Sequence, residues 1–158
     1  EEGPGSERMP EKLIVKQNTQ YETRYWALDP QNPESGEMKE VAHINAITPY
    51  GMLLASLGAC TAVVVNSYSK HHNYGLQEVE VELTYERNFQ QDCDDCENIQ
   101  RFDEHITEKV ALIGSLTEEG RQKLFQISKQ CSVKKLLDTG IKMDIEMVKE
   151  IAPEKTIR

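Results

Sequence analysis

The spacing of apolar positions changes along the chain, and each spacing predicts a different element. Apolar and acidic residues alternate over residues 78–86, which is typical of a half-buried antiparallel strand. Residues 106–113 predict a second strand, paired with the first as a long hairpin. A final strand is predicted over residues 141–148, where Ile and Met alternate mainly with charged residues. Shorter strands are predicted at residues 13–15, 21–28 and 38–44.

The most apolar stretch is residues 50–65, sixteen residues without a charged side chain. Thr48 suits an N-cap and Pro49 suits the first helical position, so a helix is predicted from about Pro49 to about His72, ending near Asn73. Apolar residues fall on every face of it, which is typical of a helix surrounded by protein. The stretch is shorter than the roughly 20 apolar residues that span a bilayer. We therefore expect a core helix and no membrane association.

Two further helices are predicted before the final strand. The first begins after an N-cap at Thr117, and the second covers residues 133–137 and ends at Gly140. The order of strands, helix, two strands, two helices and strand predicts an α+β fold in which helices bury the sheet faces. On the first of these helices, the positions predicted to face the core are Leu124, Ile127 and Cys131.

Length and charge limit the classes of protein to consider. The 158 residues suit one domain, predicted over residues 11–158, with residues 1–10 as a flexible tail or a cloning remnant. A net charge of −9 argues against nucleic acid and anionic membranes as partners. The first twenty residues are charged and have no secretory h-region, so a reducing, cytoplasmic location is expected for the four cysteines.

Those cysteines are the main candidates for chemistry. Cys60 lies within the apolar stretch, where a thiol is either inert core or a shielded nucleophile. Cys93 and Cys96 lie in an acidic segment predicted as a surface loop, and a Cys-x-x-Cys there is half a zinc site, a redox pair or two surface thiols. We expect no bound metal and no cofactor.

Three separated motifs carry a resemblance to a known family. The string TPYGMLLASLGACT at residues 48–61 resembles the signature of the OsmC family, which includes the organic hydroperoxide resistance proteins. The CSV at residues 131–133 occupies the place of the family's second signature, Cys-Pro-Val. The DCDDCE at residues 92–97 is similar to an insertion in one branch of the family. The resemblance covers roughly residues 47–148, with the motifs in the family's order.

The resemblance implies a thiol peroxidase on an intertwined homodimer, with antiparallel sheets around a central buried helix and active sites at the subunit interface. Cys60 would be the peroxidatic residue and Cys131 the resolving residue, reset by an external dithiol reductant. Apolar neighbours such as Leu53 and Leu57 would favour a small organic hydroperoxide as the substrate, because its alkyl part gains from burial.

Activation of the buried thiol needs a source of positive potential. Burial raises a thiol pKa, and Cys60 lies about three turns into its own helix, beyond the reach of that helix dipole. The resemblance implies an Arg from the N-terminal strands, held by a carboxylate, and Arg24 is the candidate by region. Tyr50-Gly51 replace the family's acidic residue, so Glu22 or Glu40 would hold the guanidinium instead. An exposed strand residue is the other interpretation of Arg24.

A second departure from the family pattern is Ser132, where the family has a Pro that would fix the backbone turn. The departures leave a second function open. In that alternative the chain is a non-catalytic OsmC-like stress protein that binds an apolar small molecule in a pocket beside Cys60.

Overall fold

The structure is a computed structural model that describes residues 10–89 and 102–151. The predictions for the N-terminal tail therefore lie almost entirely outside the described residues. The same holds for the thiols of Cys93 and Cys96 and for the branch of the family that their segment suggests. The two other cysteines, Cys60 and Cys131, lie within the described residues.

Five strands and three α-helices form within the described residues. The strands make one antiparallel sheet in the order β3-β2-β1-β4-β5. The predicted α+β fold is confirmed. The elements are β1 Glu11–Asn18, β2 Thr23–Leu28, β3 Met38–Glu40, α1 Pro49–His72, β4 Leu76–Phe89, β5 Phe102–Gly114, α2 Glu118–Ser128 and α3 Ser132–Thr139.

The predicted hairpin of β4 and β5 is present and longer than expected. Its register runs from Leu76 opposite Gly114 to Phe89 opposite Phe102. The alternation along β4 places Val79, Val81 and Leu83 on a fully buried face. β3 is shorter than predicted, because the chain turns into a 3-10 helix at Ile44–Ala46.

The final strand predicted over residues 141–148 is wrong for the single chain. These residues form no regular element, and Ile145 and Met147 are 101% and 97% exposed. A strand exists only when its backbone pairs with a neighbour, and no described strand of this chain lies beside the segment. The alternation in the sequence is real, but no strand among the described residues pairs with it.

The central helix α1 has the predicted ends. The Thr48 hydroxyl accepts a hydrogen bond from the Gly51 N–H at 3.0 Å, and Asn73 ends the helix with a left-handed φ of 53°. Within the described chain protein does not cover every face of α1, and cover by a second copy stays a prediction. Leu53 and Val63 are 36% and 42% exposed on the side away from the sheet.

By length and composition α1 could cross a membrane, at 24 residues. Core helices of soluble proteins share that property. Here the buried side of α1 packs on β1 and β4, with Leu54, Leu57, Ala62 and Val65 in the core.

The position of Cys131 differs from the prediction. α2 ends at Ser128 in a tightened last turn, where the Gln130 N–H donates to the Ile127 carbonyl at 2.9 Å. Cys131 is therefore the N-cap of α3 and not a residue of α2. Its side chain is nevertheless fully buried, as the apolar spacing predicted.

α1 lies close against the sheet at Gly58. A Cβ at this position would lie 2.7 Å from Leu83 Cδ1 and 2.7 Å from Val15 Cγ2. Real side chains do not pack that closely, so only glycine lets the helix lie against β1 and β4 at this depth. This contact fixes the distance between the third turn of α1 and the sheet.

Gly58→Ala should lower the free energy of unfolding by about 1–2 kcal/mol, since overpacking costs more than the gain in helix propensity. Urea denaturation of the variant would measure the loss. Ser56→Ala, at an exposed position of the same helix, serves as the control and should change the stability by less than about 0.5 kcal/mol. A Gly58→Ala protein as stable as wild type would contradict the close packing.

Candidate functional site

The structure brings Cys60 and Cys131 together. Both are free thiols, and they lie close enough for each to shift the pKa of the other. Cys60 comes from α1 and is half-buried, whereas Cys131 comes from the start of α3 and is fully buried. Two residues 71 positions apart in the sequence thus form one dithiol site.

The Cys60 sulfur lies at the N-terminus of α3. It accepts hydrogen bonds from the backbone N–H groups of Val133 and Ser132, and the Ser132 Oγ is 3.6 Å away. Partial burial opposes ionisation, but the nearby Cys131 thiol and these donor groups outweigh it. The pKa of Cys60 therefore lies below its ordinary value.

The Cys131 thiol has the opposite tendency. Burial and the neighbouring Cys60 thiol raise its pKa, although the Lys134 backbone N–H and the Thr61 hydroxyl oppose the change. Its sulfur is also 4.0 Å from the Leu57 carbonyl oxygen, to which it donates. The surroundings therefore favour the ionised form at Cys60 and the neutral form at Cys131.

Ser132 contributes directly to this arrangement. A proline at this first position of α3 has no N–H and no hydroxyl, so it could offer Cys60 neither of the two groups that Ser132 presents. α3 starts at this position without proline. The departure from the family's Cys-Pro-Val pattern leaves the helix start in place and adds two donors for the thiolate.

The source of thiolate stabilisation is partly different from the sequence expectation. The sequence shows only that the dipole of α1 does not reach Cys60, and it therefore predicts a cation as the stabilising group. Among the described residues, the groups that lower the pKa of Cys60 are the Cys131 thiol and the donors at the start of α3. These donors belong to the N-terminus of a different helix, α3. The sequence alone does not show that α3 lies beside Cys60.

Arg24 lies on β2 in an ion pair with Glu40. Its Nε and Nη2 donate to the two carboxylate oxygens at 2.7 and 2.6 Å, and the guanidinium lies 5.3 Å from the centre of the Trp26 ring. Of the two carboxylates considered, Glu40 is thus the partner, whereas Glu22 accepts from Asn18. The side chain of Arg24 is 63% exposed, and its role toward Cys60 stays a prediction.

Thr61 and Glu108 were missed by the sequence reasoning. The Thr61 hydroxyl, fully buried beside the thiol pair, donates to the Glu108 Oε1 at 2.5 Å. Burial raises the pKa of the Glu108 carboxyl against the effects of Thr61 and of the positive charge of Lys134. A signal was available, because Glu108 interrupts an apolar face of β5 between Ile106 and Val110.

A cavity of about 630 Å³ lies near the dithiol site, although neither Cys60 nor Cys131 is among its lining residues. Glu108 and Lys134 contribute polar groups to its wall, and Leu57 connects it to the contact region of Cys131. A volume of this size suits a small organic molecule. The apolar side chains of the wall are Leu53, Leu57, Ile106, Val110, Phe125 and Leu137.

No cluster of three or more potential metal ligands occurs among the His, Cys, Asp and Glu residues that the structure describes. The half-site of Cys93 and Cys96 lies outside that part of the chain. Its possible functions therefore stay predictions.

A solved structure supports the assignment of the fold. The chain is similar to an OsmC-like hydroperoxide resistance protein from Jannaschia sp. CCS1, with a TM-score of 0.55 and 11% sequence identity. The similarity covers 91% of this chain and 97% of that one. The comparison with curated proteins gave no match.

The family model for OsmC-like proteins matches residues 42–146. This range contains the thiol pair, α1, the hairpin of β4 and β5, and the two later helices. It agrees with the extent of the resemblance read from the motifs. The chain belongs to the OsmC-like family.

Proposed function

We propose that the chain reduces organic hydroperoxides, with Cys60 as the peroxidatic and Cys131 as the resolving residue. The main support is the contact between two free thiols whose pKa values are shifted in opposite directions. A peroxidase of this type needs one ionised and one protonated thiol within reach of each other. The similar Jannaschia protein is described as a hydroperoxide resistance protein, which agrees with the proposal.

In the first step the Cys60 thiolate attacks the terminal oxygen of the hydroperoxide. The S–O bond forms as the O–O bond breaks, and the alkoxide leaves and takes up a proton to become an alcohol. Cys60 is oxidised to a sulfenic acid. The donors at the start of α3 hold the sulfur in the ionised form that this attack requires.

In the second step the Cys131 sulfur attacks the Cys60 sulfur. The disulfide forms as the S–O bond breaks, and the hydroxide that leaves is protonated to water. An external dithiol reductant then reduces the disulfide and is itself oxidised to a disulfide. A reducing compartment such as the cytoplasm would supply that reductant.

The neighbouring cavity supports an organic substrate. Its wall contains six apolar side chains, which would favour an alkyl or aryl hydroperoxide over hydrogen peroxide. The same cavity is what the alternative function would use, as a binding site for an apolar molecule without chemistry. A turnover assay separates the two functions.

We expect the wild-type protein to consume cumene hydroperoxide in the presence of a dithiol, as followed by stopped-flow measurement. Cys60→Ser should abolish turnover, because it removes the proposed peroxidatic thiol. Cys131→Ser should allow one reduction of hydroperoxide and then stop before the intramolecular disulfide.

Mass spectrometry after one equivalent of hydroperoxide gives a second readout, since wild type should carry a disulfide and Cys131→Ser a trapped sulfenic acid. A wild-type protein without turnover, but with measurable binding of cumyl alcohol, would favour the non-catalytic alternative. Turnover that survives Cys60→Ser would show that the assignment of the peroxidatic residue is wrong.

The activation of Cys60 can be tested at Ser132. Ser132→Pro keeps a residue suited to the first turn of a helix but removes the N–H and the hydroxyl that face the sulfur. The pKa of Cys60 should rise, and turnover at neutral pH should fall by about tenfold, which corresponds to 1.4 kcal/mol. Because a raised pKa leaves less thiolate, the loss should shrink as the pH rises. Thiol titration by alkylation rate measures the shift directly.

The variant Arg24→Met tests whether the Arg24 guanidinium, in addition to the N-terminus of α3, lowers the pKa of Cys60. We propose that the Arg24–Glu40 pair also favours the thiolate, from the same or from the partner subunit, and its removal should slow turnover by about tenfold. Ser132→Ala, which removes only the hydroxyl, is the matched milder variant. An Arg24→Met protein with unchanged titration and rate would leave α3 as the source of activation.

We propose that the protein is an intertwined homodimer. Two features support this: the open side of α1 carries the exposed side chains of Leu53 and Val63, and residues 141–148 alternate as a strand without a neighbour. A second copy could pair with this segment and cover α1. The exposed apolar side chains of the segment are Ile141, Met143, Ile145 and Met147.

Sedimentation should show a stable dimer at micromolar concentration. Ile145→Lys with Met147→Lys should weaken the dimer by more than about tenfold, because charges would replace buried apolar side chains. Asp144→Lys with Glu146→Lys changes the other side of the alternation and serves as the control. A wild-type monomer at micromolar concentration would refute the dimer.

A further inference from the structure

The cavity near the dithiol site has a carboxylate within an apolar part of its wall. Glu108 lies on β5 between Ile106 and Val110, and every second residue of a strand points to the same face. All three residues line the cavity, together with Leu57 of α1. A molecule that fills this part of the cavity therefore meets a carboxylate as well as apolar side chains.

The carboxylate of Glu108 is held in place from behind by Thr61. The Thr61 hydroxyl is 0% exposed and donates to the Glu108 Oε1 at 2.5 Å. If Glu108 turned out into solvent, this buried hydroxyl would lose its acceptor, which is costly. One hydrogen bond uses only part of the acceptor capacity of a carboxylate. Glu108 therefore stays in the cavity wall and presents its charge there.

The charge of Glu108 lies where water screens it poorly. The side chain is half-buried, and burial raises the pKa of its carboxyl against the effects of Thr61 and of the positive charge of Lys134. In such surroundings two like charges repel each other more strongly than they do in water. A ligand with its own carboxylate would also lose hydration on entering the cavity.

The positive charges of the wall do not offset this repulsion. The Lys134 Nζ donates to the Asp138 carboxylate at 2.6 Å, and these side chains are 44% and 62% exposed. The ammonium of Lys129, an exposed residue, lies 4.8 Å from the centre of the Phe125 ring. Exposed charges contribute little, because water and salt screen them. The other titratable residues that line the cavity are Tyr85, Glu104 and His105.

We propose that Glu108 determines substrate specificity, so that the cavity takes neutral organic hydroperoxides and excludes those that carry a carboxylate. This inference names the substrate class and rests on the proposed peroxidase function. A neutral alkyl or aryl group gains from burial against the apolar wall, whereas a carboxylate would be buried beside Glu108. Glu108 acts on binding and not on the sulfur chemistry. Its effect should therefore appear in KM and not in kcat.

A matched pair of ligands tests the binding without turnover. Cumyl alcohol, the product of cumene hydroperoxide, is compared as its para-carboxylate and as the methyl ester of that acid. Calorimetry near neutral pH with the reduced full-length protein gives both Kd values. Wild type should bind the ester at least about tenfold more tightly than the acid, as juxtaposed like charges require. Glu108→Gln should bring the ratio close to one, mainly by tightening the binding of the acid.

Two control variants remove a carboxylate elsewhere. Glu34→Gln changes the net charge equally at an exposed position outside the cavity lining and should keep the wild-type ratio. Glu104→Gln removes an exposed carboxylate of the lining and should change the ratio less than Glu108→Gln. If Glu108→Gln fails to fold, Glu108→Leu provides the answer, since an apolar side chain suits this wall.

The corresponding hydroperoxides connect binding to the reaction. With a dithiol present, wild type should have a lower KM for the ester than for the acid. In Glu108→Gln the KM for the acid should fall, with kcat unchanged. A gain of binding for one ligand cannot result from partial unfolding, so this outcome would separate a specificity role from a structural one.

Equal affinity of wild type for the acid and the ester would overturn the proposal, and so would a ratio that Glu108→Gln leaves unchanged. Failure of wild type to bind any of these alcohols would also overturn it, as expected if a second copy of the chain fills the cavity. Absence of turnover with every hydroperoxide, while the Kd ratio persists, would be a different failure. It would overturn the peroxidase function but support the selection of neutral ligands by Glu108.

Discussion

The depth at which α1 lies against the sheet determines the geometry of the site. At Gly58 there is no space for a Cβ between the helix and the side chains of Val15 and Leu83. The turn that follows carries Cys60 and Thr61, and this depth lets the Thr61 hydroxyl reach Glu108 on β5 at 2.5 Å. A helix held farther from the sheet would break that contact, because a hydrogen bond tolerates only a few tenths of an ångström.

Two thiols in contact acquire different properties because their surroundings differ. Cys60 faces the free N–H groups at the start of α3, which favour its ionised form, whereas Cys131 faces the core. Helix N-termini are general sites of positive potential. The family resemblance implies an arginine as the group that favours the thiolate. In the structure the backbone N–H groups of Ser132 and Val133 at the start of α3 lower the pKa of Cys60. Ser132 strengthens this contribution, since it keeps the N–H that a proline lacks.

The half-buried thiol of Cys60 lies on α1, and the described residues of the chain leave the side of α1 away from the sheet uncovered. Leu53 and Val63 on α1 are exposed, and so are the apolar residues of the C-terminal segment. Exposed apolar side chains in such number are unusual for a chain that acts alone. The proposed dimer would cover them, and the same contact would control how water and hydroperoxide reach Cys60.

Local rules determined most of the fold and the identity of the two central cysteines. The ends of α1 follow from Thr48, Pro49 and Asn73, and the buried face of β4 follows from its alternation. These features depend on neighbours within a few residues, so the sequence contains them directly. The strand predicted over residues 141–148 is not formed, because a strand needs a partner and no described strand of the chain pairs with this segment.

The chemistry of the site was decided by tertiary structure. Nothing in the neighbourhood of Cys60 in the sequence indicates that the N-terminus of α3 lies at its sulfur, or that Glu108 lies beside Thr61. Electrostatic effects on a thiol act through space over a few ångströms. Cys131, Ser132 and Val133, which lie 71 to 73 positions away in the chain, therefore lower the pKa of Cys60. The sequence alone identified the thiols, and the packing of α1, β5 and α3 determined which of them ionises.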